Sequence, residues 1–133
     1  MSRRAVRTDE APAPVAGAPY SQAIAATGGE TVWVSGQVPL TPAGDLAADD
    51  VAGQTRQCLE NVAAILRAAG GTMDDVVKTT VFMTDLGEFG AMNEVYAGAF
   101  GAVPPARATI GVAALPAGAS VEIEAVAVIG ATR

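Results

Sequence analysis

Hydrophobic positions recur along this chain with two periods, and the order in which the periods alternate predicts the architecture. Val51, Thr55, Cys58, Leu59, Val62, Leu66 and Ala69 follow one another at steps of three and four, with Gln54, Gln57, Glu60 and Arg67 on other faces. This spacing is the stripe of an amphipathic helix; Asp49 or Asp50 is its natural N-cap and Gly70-Gly71 its stop. A second stripe, Phe89, Met92 or Asn93, Tyr96 and Phe100, predicts another helix that stops at Gly101. Between the two, residues 76–83 are β-branched and almost wholly apolar, as expected of a central strand covered on both faces. Residues 21–26 and 31–35 flank Gly28-Gly29 and read as a hairpin, while 107–112 and 120–129 read as two closing strands. Pro12, Pro14 and Pro19 forbid a helix over the first nineteen residues, which are expected to form an extended arm, 1–19.

The resulting order, strand, strand, helix, strand, helix, strand, strand, fits a single domain over residues 1–133, of α+β class. Two helices cannot cover both faces of a five- or six-stranded sheet, so they are expected on one face, with the other buried by a further copy of the chain. The last strand agrees: Val121, Ile123, Ala125, Ala127 and Ile129 alternate with Glu122, Glu124, Val126 and Val128, so each face carries apolar groups.

Charge narrows the partners. The net charge is −6, and the eight basic side chains are scattered after an initial Arg3, Arg4 and Arg7. A phosphate-binding face needs such groups gathered together, so the sequence argues against nucleic acid. Asp9 and Glu10 follow the early arginines and no apolar stretch comes after them, which predicts no targeting segment and a cytoplasmic protein without membrane contact. One cysteine and no histidine exclude a disulfide framework, the usual zinc sites, imidazole acid–base chemistry and Ser-His or Cys-His nucleophiles. Cys58, on the apolar stripe, is read as a small buried hydrophobe. Nucleotide-binding glycine fingerprints are missing as well.

What remains is one placement of charge. Arg107 is the only basic residue between Lys78 and Arg133, at the start of a strand in apolar surroundings. Its planar fork matches a carboxylate, which is either Glu122 or Glu124 in a strand-to-strand tether or a ligand in a cleft, with Glu124 handling water and protons. Strand periodicity sets Arg107, Thr109 and Gly111 on one face. Tyr20, after Pro19, either closes that cleft or is an exposed loop residue; Ser35-Gly36-Gln37 is a ligand approach or an ordinary turn; Asn93 braces a loop or touches substrate.

Several separated segments then match a known family in the right order: Ala18-Pro19-Tyr20-Ser21-Gln22, Val34-Ser35-Gly36-Gln37-Val38-Pro39, the stretch from Gln54 to Val62, Val77-Lys78-Thr79-Thr80-Val81-Phe82, Met92-Asn93-Glu94-Val95-Tyr96, Pro105-Ala106-Arg107 and Val121-Glu122-Ile123-Glu124-Ala125. From about residue 10 to 130 the chain resembles the Rid family, also called YjgF/YER057c/UK114. The resemblance implies a chorismate-mutase-like mixed sheet, a homotrimer with clefts between subunits, and hydrolysis of 2-imino acids to 2-oxo acids and ammonia without a cofactor or metal. It assigns carboxylate binding to Arg107 and water activation to Glu124, with Tyr20, Ser35, Gly36, Asn93 and Thr109 as other substrate contacts. Thr109 stands where the family often has Cys, Gly111 and Ala114 where many members carry Glu and Arg, and Ala18 where Gly is common. A non-catalytic carboxylate-binding trimer and an endoribonuclease or translation inhibitor are the alternative expectations.

Overall fold

The structure, a computed structural model, describes residues 3–130. Eight principal elements follow in order: β1 (Arg3–Val6), β2 (Ala23–Ala26), β3 (Glu30–Gln37), α1 (Val51–Ala68), β4 (Val76–Met83), α2 (Phe89–Ala97), β5 (Ala106–Gly111) and β6 (Val121–Ile129). The main sheet has the order β3-β6-β4-β5, and β1 pairs with β2 in a small antiparallel sheet. β6 is antiparallel to both neighbours, whereas β4 and β5, joined through α2, are parallel. The fold is therefore α+β with a mixed sheet.

α1 forms where its stripe predicts. The Asp50 side chain accepts a hydrogen bond from the Gly53 N–H, and the helix closes with Gly71 N–H to Leu66 O and Gly70 N–H to Arg67 O. Gly70 has φ 90°, a left-handed conformation that suits glycine at this paired C-terminal cap. Cys58, Leu59, Val62 and Leu66 are buried against β6 and β3. Gln54, also buried, donates to Ala48 O and accepts from Ser120 N–H, so its amide ties two loops without leaving a polar group unpaired. Both helices lie on one sheet face, packed on Val34, Val81, Met83, Val121, Ile123, Ala125 and Ala127.

Three expectations change. The glycine pair at 28 and 29, with φ 74° and 72°, does turn the chain, yet β2 and β3 do not form a hairpin. β2 pairs with β1 and β3 with β6, because Val32 and Val34 meet the core only beside Ala125 and Ala127. The arm therefore contains a strand. β4 is central as expected, but only one of its faces is covered: Lys78 is exposed, and Thr80 and Phe82 are half-buried. α2 ends at Ala97, short of Gly101, although Phe100 still packs on Tyr96 with ring centroids 4.8 Å apart. No described helix covers the opposite face of the sheet, where Trp33 is 74% exposed beside Val126.

Candidate functional site

The site is built on the side of β5 that faces α2. Register pairs Arg107 with Thr79, Thr109 with Val81 and Gly111 with Met83. Thr79, Val81 and Met83 are buried on the helix side, so Arg107 and Thr109 point there as well. α2 meets them with Phe89, Asn93 and Tyr96, positions that share one helical face.

Arg107 Nη1 donates to Asn93 Oδ1 at 2.6 Å and lies 3.9 Å from Met92 Sδ. Three aromatic rings surround its guanidinium carbon, with centroids at 4.7 Å for Tyr96, 5.3 Å for Tyr20 and 5.5 Å for Phe89. Rings at such distances offer their negative faces to a cation without neutralising it. Burial pulls the guanidinium below its ordinary pKa, offset in part by Tyr96 and Tyr20. Nη2 is buried with no partner, and so is Thr109 Oγ1, two residues along the same strand face. A buried donor left unpaired costs about 1–3 kcal/mol, more when charged, so both atoms are suited to an incoming acceptor. Tyr20 is held over Arg107 because its hydroxyl accepts the Val15 N–H at 2.9 Å. A cleft of about 620 Å³ between the arm and residues 102–104 shares Tyr20 with this cluster.

The tether to Glu122 or Glu124 does not form. Thr80 pairs with Glu124 and with Ala108, and Phe82 with Glu122, so both carboxylates project from the sheet face opposite Arg107. Glu124, expected to work beside Arg107, is exposed and separated from it by the sheet. Glu122 instead lies against Gly36: a Cβ at that position would collide with its carboxylate. Ser35 and Gly36 occupy a β-bulge, since the pairing steps from Val34↔Ala125 to Gln37↔Ile123 with one extra residue on β3. Both are exposed. One chain thus brings together Arg107, Asn93, Tyr20 and Thr109, and on its other face Ser35, Gly36 and Glu122.

Sequence reasoning missed Phe89 and Tyr96, whose helical spacing reads as core, although the same stripe carries Asn93. It named Glu124 as the acid; the glutamate that lies against the bulge is Glu122, which depends on the register of β3 and β6. Cys58 is as expected, with burial first and Glu122 second raising its thiol pKa to about 12.

Fold and site together define a small α+β protein with a desolvated, uncompensated guanidinium at a sheet edge. The sequence profile of the family described as Endoribonuclease L-PSP matches residues 10–129, and the chain belongs to that family, the Rid or YjgF proteins. It is 46% identical over 129 residues to the 2-iminobutanoate/2-iminopropanoate deaminase of Mus musculus, covering 96% of this chain and 93% of that protein. It is equally, at 46%, identical to Protein DfrA of Myxococcus xanthus, covering 96% and 97%. Among solved structures, the Rid family protein YyfB of Yersinia pestis superposes with TM-score 0.88 at 31% identity, covering 97% and 100%. RidA from an Antarctic Psychrobacter gives 0.73 at 44%, covering 96% and 100%.

Proposed function

We propose that this protein hydrolyses small 2-imino acids to 2-oxo acids and ammonia, with the substrate carboxylate held by Arg107. The observation that carries this reading is the free, buried Nη2 of a guanidinium that no described carboxylate reaches. The deaminase relatives support the reaction type. The acid half then comes from a second copy in a homotrimer, which would also cover the exposed face around Trp33. The second reading is a trimer in which the Arg107 cluster binds carboxylates without turning them over.

The chemistry needs little beyond positioning. A protonated imine carbon is electrophilic, and a water whose proton passes to Glu122 of the adjoining copy adds its oxygen there, giving a carbinolamine. Glu122 returns that proton to the nitrogen. The carbon–nitrogen bond then breaks, ammonia leaves with the electron pair, and loss of the remaining hydroxyl proton gives the 2-oxo acid. Arg107 and Thr109 fix the carboxylate throughout. The surroundings of Arg107 are aromatic and thioether, so small apolar substrate side chains fit best.

The test generates 2-iminobutanoate with a dehydratase and follows its loss. Wild type should accelerate the loss, and Arg107→Ala should reduce kcat/KM by about 100-fold or more, the scale of losing a charge-assisted anchor. No acceleration by wild type, or unchanged acceleration by the variant, defeats the assignment. RNA cleavage that survives Arg107→Ala would favour the endoribonuclease reading, against which the eight scattered basic residues argue.

A further inference from the structure

Two buried hydroxyls stand beneath the guanidinium and have no role in the reaction above. Thr79 and Tyr96 are 1% and 0% exposed. Their oxygens lie 2.6 Å apart, so one donates to the other. Thr79 is the register partner of Arg107 in the parallel ladder, and Tyr96 presents the nearest of the three rings. Val and Phe would fill the same space without burying two polar groups, which makes the pair unnecessary for packing alone.

The pair acts on geometry and not on charge. Burial raises the Tyr96 pKa to about 12, despite opposing effects of the Thr79 hydrogen bond and the Arg107 charge, so the phenol stays neutral. A neutral ring face attracts the cation yet leaves it free to slide and tilt. A ring anchored at its hydroxyl end removes that freedom. The guanidinium is then held from two sides, by the anchored Tyr96 ring, the nearest of the three, and by the bond from Nη1 to Asn93. Nη2 is the edge left over.

We propose that Thr79 and Tyr96 are positioning residues for Arg107: their shared hydrogen bond fixes the ring on which the guanidinium lies, so that Nη2 is presented to a ligand carboxylate already oriented. The inference rests on Arg107 as the carboxylate anchor. It assigns to α2 and β4, through residues that never touch substrate, a share of the affinity for 2-oxo and 2-imino acids.

The experiment measures 2-oxobutanoate binding by calorimetry and 2-iminobutanoate turnover for wild type, Tyr96→Phe, Thr79→Val, the double variant, Thr79→Ser and Arg107→Ala, with thermal unfolding of each. Loss of orientation without loss of the charge should raise Kd and KM by roughly 3- to 10-fold and change kcat by less than about 2-fold. Thr79→Ser should restore wild-type values, and the double variant should match the worse single one, since the two groups act as a unit. Lower melting temperatures with unchanged Kd and KM would show a merely structural pair and overturn the inference, while leaving Arg107 as the anchor if Arg107→Ala still abolishes binding. Binding and turnover indifferent to Arg107→Ala would overturn the anchor and the inference together. Should Tyr96→Phe fail to fold, Thr79→Val against Thr79→Ser decides alone.

Discussion

The two halves of the candidate site are built to opposite specifications. On the β5–α2 side Arg107 is ringed by aromatics, bonded to Asn93 and partly desolvated, and among the described fully buried side-chain atoms there Nη2 and Thr109 Oγ1 are unpaired. On the β3–β6 side, Ser35 and Gly36 bulge outward and are exposed, with the Glu122 carboxylate resting against the glycine. The cationic half is pre-organised in one chain, whereas the acidic half is left open for something to be brought to it. Under the proposed function the contrast makes affinity and chemistry separable, because different elements would support them.

The comparison can be broken most forcefully by giving the cation an internal counter-ion. Asn93→Asp places a carboxylate where Nη1 already donates at 2.6 Å; carboxylate binding should fall by about 100-fold or more while the fold is retained, because a charge-assisted pair satisfies the guanidinium. Retained 2-oxobutanoate affinity would mean that Arg107 is not the anchor. Next comes the choice of acid: Glu122→Gln should lower kcat by about 100-fold, and Glu124→Gln by less than about 3-fold, since a general base contributes 10²–10⁴-fold only within reach of the water. The reverse ranking would restore Glu124. Gly36→Ala drives a methyl into the Glu122 carboxylate, the mobile end of a side chain on an exposed bulge; swinging it aside should cost about 10-fold in kcat and less than about 0.5 kcal/mol in urea unfolding.

The smallest effect on activity is also the sharpest in pH. The folded state holds the Cys58 thiol protonated to about pH 12, above its ordinary value of 9.0. Such a raised pKa stabilises the protein fully below the unfolded value, and stability is lost as pH rises from about 9, at about 1.4 kcal/mol per pH unit. Tyr96, raised from 10.0 to about 12, steepens the loss above pH 10. Urea melts between pH 8 and 10 should show the decline, and Cys58→Ala should flatten it without altering turnover.

Much of this is legible in the sequence. α1 is expected over 51–69 and found over Val51–Ala68, because its cap, stripe and glycine stop act within a few residues of one another. β4 needs only its composition. The hairpin expected at Gly28-Gly29 does not form, for the complementary reason: its turn is local, but the pairing that wins, β3 with β6, joins residues almost a hundred positions apart. The site divides in the same way. That Arg107, Thr109 and Gly111 share a face follows from strand periodicity. Whether that face also carries Glu122 and Glu124 depends on how β5, β4 and β6 align, and no single strand reveals it.

That alignment has a consequence of its own. The sheet acts as insulation: its backbone stands between the Arg107 cluster and the two anions nearest in register. Sliding β5 by a single residue would turn Arg107 toward Glu124 and short-circuit the pair, giving a sturdy crosslink with nothing left to offer a visitor.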